Sequence, residues 1–77
     1  MRTRAARVRD AEAVVKIVSP HETIDEDKAI NLIEEGNVYV AVDFSANVWG
    51  CALSENQIYV KENAPDANVE SELRKCY

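Results

Sequence analysis

The strongest constraint in this chain is a change of hydrophobic period near its middle, at Gly36-Asn37. Before that point the apolar residues recur with helical spacing. Ala11, Val14, Val15 and Val18 fall at i, i+3, i+4 and i+7 and place one stripe on a helix. Ala29, Ile30 and Ile33, with Leu32 beside them, mark the inward face of a second helix. After that point Val38, Val40 and Val42 alternate with Tyr39, Ala41 and Asp43, the two-residue repeat of a strand. A chain that switches period this way must pack helices against a sheet, which makes it an α+β domain in the broad α/β class.

The punctuation fills in the remaining elements. Thr3–Ala6 reads as a short first strand leading to Asp10, a helix-start residue. Pro20 ends the first helix because the residue before a proline avoids the α region. Two capping boxes compete for the second helix, Ser19-Pro20-His21-Glu22 and Thr23-Ile24-Asp25-Glu26. Gly36 closes that helix as a left-handed cap. Phe44–Asn47 is a turn, Val48–Leu53 a strand containing Gly50, Ser54–Asn56 a second turn and Gln57–Lys61 a further strand. Glu62–Asn68 is a loop with Pro65, and Val69–Tyr77 a final helix. The predicted order is β-α-α-β-β-β-α in a single domain spanning residues 1–77, with a small, mostly antiparallel sheet. Val14, Val18, Ile30, Ile33, Val40, Val42, Cys51 and Ile58 are the expected core.

Length and charge narrow the function. A 77-residue chain buries only about 60–65% of its unfolded surface, so its stability gains from a partner. The net charge of −5 opposes general nucleic-acid binding, which needs a basic surface. Arg2, Arg4, Arg7 and Arg9 crowd the start, and we read them as a solvated strand edge and helix start rather than a phosphate patch. No apolar run approaches the roughly 20 residues of a membrane span, and the N-terminal arginines precede no apolar signal region. The expected location is cytoplasmic. Cys51 and Cys76 form no metal-ligand spacing: Cys51 reads as a buried hydrophobe and Cys76 as an inert thiol.

Individual chemical signals are weak. His21 beside Glu22 has no nucleophile at a recognisable spacing and reads as a surface residue. Glu22, Asp25, Glu26 and Asp27 lack the alternating ligands and glycine of a calcium loop and read as a solvated helix start. Trp49 and Tyr39 read as core or interface rather than a stacking platform for bases. No catalytic or metal-binding residue is expected.

The element order, together with several local patterns, resembles the N-terminal half of the GNAT family of N-acetyltransferases. Arg4-Ala5-Ala6-Arg7-Val8-Arg9-Asp10-Ala11 is similar to the family's opening, where an Arg-x-Ala strand end precedes an Asp-Ala helix start. Tyr39–Asp43, Val48–Ala52 and Ile58–Val60 resemble its second, third and fourth strands. The resemblance covers nearly the whole chain. It implies that Tyr59, Val60, Asn68 and Val69 occupy the family's cofactor-binding positions, and that the chain stops before the fifth strand and the later tyrosine acid of active relatives. It also exposes a departure: where relatives carry an Arg/Gln-x-x-Gly-x-Gly/Ala loop, this chain has Pro65, Asn68 and Glu70. Proline offers no amide to a phosphate, and Glu70 brings a carboxylate towards one.

The expected function is therefore a non-catalytic acetyltransferase-like module that needs no cofactor and acts by protein contact. Self-association as a homodimer through the Gln57–Lys61 strand edge is its expected mode. The alternatives are an acyl-CoA-dependent N-acetyltransferase completed by a second chain, which would use acetyl-CoA, and a truncated product with no retained activity.

Overall fold

The computed structural model describes residues 1–77. Four strands form one wholly antiparallel sheet in the order β1-β2-β3-β4: β1 (Arg2–Ala5), β2 (Tyr39–Val42), β3 (Val48–Ser54) and β4 (Gln57–Val60). A 3-10 turn at Val8–Asp10 leads into α1 (Ala11–Val18); α2 is Glu26–Glu34 and α3 is Val69–Arg74. The sequence's β-α-α-β-β-β-α order is the observed one. No helix is long and apolar enough to cross a membrane.

Strand periodicity divides the interior into two layers. Val40, Val42, Cys51 and Leu53 pack with Ala11, Val14, Ile17 and Val18 of α1 and Ala29 and Ile33 of α2. Ala41 and Ala52, the residues between them, point to the opposite face and meet Val69 and Leu73 of α3. Small residues on that second face let α3 lie close. At Gly50 an added Cβ would stand 2.8 Å from Val69 Cγ1 and 3.0 Å from the Tyr59 carbonyl oxygen. The glycine is thus set by close approach of α3, not by a turn.

Several boundaries differ from the sequence reading. The first strand begins at Arg2 and its ladder continues through the Ala6 N–H to the Val38 carbonyl, 2.8 Å. In α1, Ile17 takes a buried place and Val15 is half-buried. Neither expected capping box starts α2. His21 and Glu22 N–H both bond the Val18 carbonyl and prolong the turn after α1, and Asp25 caps α2 by accepting the Lys28 N–H at 2.8 Å. Ile24, just before that cap, is buried with Ala29, the apolar clasp that sets a helix's approach. Ile30 and Ile58 are half-buried: Ile58 lies on β4, which has β3 as its single neighbour. The last helix ends at Arg74, beyond which Tyr77 Oη reaches the carbonyls of Asn37 and Ala52 at 2.7 and 3.1 Å.

Candidate functional site

Of the positions implied by the resemblance, Val60 and Val69 lie on the α3 side and border one cleft, whereas Tyr59 lies on the other face. Tyr59 and Val60 are neighbours on β4 and point to opposite faces. Tyr59 lies on the α1/α2 side, its ring 5.3 Å from that of His21 at 32°. Burial first, then the Glu22 carboxylate, raises its phenol above the ordinary value. Val60 lies on the α3 side. Val69 is buried against Gly50 and Leu73, and so serves the second core. Asn68 stands just ahead of α3 with φ −95°, outside the left-handed region that a phosphate-loop glycine exploits.

The loop between β4 and α3 borders an open cleft of about 360 Å³ lined by Val60, Lys61 and Glu62, with Asp66, Val69 and Glu70 across it. Three carboxylates face this space against one ammonium, and Lys61 directs its Nζ over the Trp49 ring, 5.4 Å from the centroid. The Asn68 N–H donates to Asp66 Oδ1 at 2.8 Å. With Pro65 lacking an N–H, two positions of the loop have no amide to offer an anion. The cleft is thus bordered by more carboxylates than cations.

Other sequence candidates have ordinary structural partners. Arg4 forms a two-point ion pair with Asp10, at 2.8 and 3.2 Å, and Asp10 also accepts the Arg7 N–H at 2.8 Å. The Arg4 side chain is therefore committed to Asp10, while Arg2, Arg7 and Arg9 are exposed. Trp49 and Tyr39 lie on opposite faces of the sheet and make no joint platform: Trp49 borders α1, whereas Tyr39 meets Tyr77 edge-on at 5.3 Å. Burial pushes the Cys51 thiol up to about 12, which leaves it protonated and inert. Cys76 is a half-buried free thiol. No three His, Cys, Asp or Glu side chains are grouped to hold a metal ion.

The feature that stands out is the edge of β4. Lys61 N–H donates to the Trp49 carbonyl at 2.9 Å, and Tyr59 lies opposite Cys51. Antiparallel ladders alternate, so Tyr59 and Lys61 turn their backbone groups towards β3 while Ile58 and Val60 turn theirs away. No turn or loop bonds the outward groups. Ile58, Tyr59 and Val60 are each half-buried, and no charged side chain interrupts them. This alternation follows from the β3–β4 register, which the sequence leaves open. Comparison with family models, curated proteins and solved structures finds no match to this chain.

Proposed function

We propose that this chain is a non-catalytic, acetyltransferase-like module that acts by protein contact, its mode being self-association through β4. The observation that carries this reading is the open β4 edge with its uncharged Ile58-Tyr59-Val60 run. Unpaired strands of this kind are templates for another chain and are normally blunted by charge, which here comes at Lys61 and Glu62, beyond the strand. The acetyltransferase likeness rests on the sequence patterns and on the β-α-α-β-β-β-α order. Pro65 and the Asp66–Asn68 bond support the absence of a cofactor role. The two free cysteines suit the reducing cytosol, where we place the protein.

Sedimentation at micromolar concentration tests the reading. A species heavier than the 8.6 kDa monomer is expected, and monomer at every concentration overturns it.

A further inference from the structure

Resting on that reading, we infer that β4 pairs antiparallel with β4 of a second copy in a single register centred on Tyr59. Ile58 of each copy then lies opposite Val60 of the other, and the two Tyr59 residues face one another across the two-fold axis.

The register follows from which backbone groups are free. Only Ile58 and Val60 of β4 direct their N–H and C=O away from β3. A two-fold antiparallel pair must match outward residues with outward residues, which leaves three short registers, centred on Ile58, Tyr59 or Val60. Centring on Ile58 sets Val60 against Asn56, which lies in the β3–β4 turn. Centring on Val60 sets Ile58 against Glu62, which lies beyond the strand. Centring on Tyr59 pairs the outward residues with each other twice and keeps every partner between Gln57 and Lys61. It also matches the side chains. Ile58 and Val60 both flank the α3-side cluster, so the two copies merge their apolar strips on one face. On the other face Tyr59 meets Tyr59, each backed by His21 at 5.3 Å. Lys61, one residue past β4, falls opposite the uncharged Gln57, so no like charges oppose each other along the pair. A second copy suits the edge because an isologous contact requires one patch to complement itself. The product is one continuous sheet, β1-β2-β3-β4 followed by its two-fold image, with α1 and α2 of both copies on the same side.

Two measurements test the register. The first traps the contact in Cys76→Ser protein, where the remaining Cys51 is buried. Opposed residues of a non-hydrogen-bonded pair hold their Cβ atoms about 4.5–5.5 Å apart, close to disulfide range. Under mild oxidation Tyr59→Cys is expected to give a covalent dimer, whereas Ile58→Cys and Val60→Cys stay monomeric on a non-reducing gel. The second uses the unaltered chain. Amide exchange at Ile58 and Val60 is expected to slow as concentration rises, while Tyr59 and Lys61, bonded within the chain, stay protected throughout. Cross-linking through Ile58→Cys or Val60→Cys instead overturns the register and leaves association through β4 standing. A sedimenting dimer with no concentration-dependent protection at Ile58 and Val60 overturns the edge itself. Monomer at all concentrations overturns the proposed function, and this inference with it.

Discussion

Asp43 Oδ2 accepts the indole N–H of Trp49 at 2.8 Å, across the β2–β3 turn. The same carboxylate accepts the N–H groups of Ser45 and Asn47, each at 2.9 Å, and the Asn47 side-chain amide at 3.2 Å. These bonds hold Ala46 at φ +66°, a left-handed conformation that a residue with a Cβ adopts at a cost, and leave Phe44 fully exposed at the tip. The Trp49 bond first, then the Asn47 N–H, holds the Asp43 carboxyl down to about 2 from its usual 3.8. A group with a depressed folded pKa binds more protons when unfolded, so its stabilisation is present above about pH 4 and fades as pH falls towards 2. Asp43→Asn is expected to flatten the loss of stability across that window. Trp49 is the chain's one tryptophan, so its fluorescence reports the transition. An unchanged acid profile would refute the assignment.

The Arg4–Asp10 pair joins β1 to the turn before α1. Burial opposes the Asp10 charge, but Arg4 and the Arg7 N–H outweigh it and hold the carboxyl below its ordinary value. Removing Asp10 leaves the Arg4 guanidinium and the Arg7 N–H without their acceptor in a part-buried site. Asp10→Ala is expected to cost about 1–3 kcal/mol in chemical denaturation, because Arg4 retains solvent contact. Asp10→Asn, which keeps an acceptor for the Arg7 N–H, should cost less. Equal costs for the two variants would show that the Arg7 bond carries no weight.

How much of this was legible in the sequence depended on the range of the interaction. The strand repeat at Val38–Val42 placed valines on one face and Tyr39 and Ala41 on the other, and the two cores follow that division. The alanines facing α3 are visible in the sequence, but their partners Val69 and Leu73, far along the chain, are not. The sequence offers capping boxes at Ser19 and Thr23, whereas Asp25, inside the second box, is the residue that caps α2. What decided it was the turn after α1, which draws His21 and Glu22 N–H back to Val18. Asp43 reads in the sequence as the polar end of the Val38–Asp43 alternation, since nothing local announces that Trp49 will close over it. Of the four positions implied by the acetyltransferase resemblance, Tyr59 and Val60 divide between the two faces by strand parity. That parity also sets which backbone groups the β4 edge exposes, once its register with β3 is known.

The two glycines separate conformational from steric demand. Gly36 has φ +84° with open space where a methyl would stand, so Gly36→Ala is expected to cost about 1 kcal/mol of backbone strain. Gly50 has ordinary strand geometry, but a Cβ there would press on Val69, Leu73 and the Tyr59 carbonyl. Gly50→Ala is expected to cost about 1–3 kcal/mol as overpacking and to loosen α3. Denaturant titration compares them, and amide exchange in α3 should quicken for Gly50→Ala alone. Equal exchange in both variants would argue against close α3 packing as the reason for Gly50.

The loop before α3 yields the last prediction, on acetyl-CoA. Calorimetry with the unaltered chain is expected to show no saturable binding at physiological cofactor concentration, and a micromolar isotherm would contradict this. The sequence points to Pro65→Arg, Asn68→Gly and Glu70→Gly as the changes that recreate the family's loop. The structure adds a fourth obstacle. Asp66 Oδ1 occupies the N–H of residue 68 at 2.8 Å, and glycine at that position has the same N–H for Asp66 to hold. The triple variant is therefore expected to remain without measurable affinity until Asp66→Ala is added, which frees the amide and removes one of the two carboxylates that still border the cleft once Glu70 is replaced. Binding by the triple variant would show that Asp66 yields its bond to a phosphate. Failure of the quadruple variant would place the missing affinity outside this loop, in contacts that the four strands and three helices do not supply.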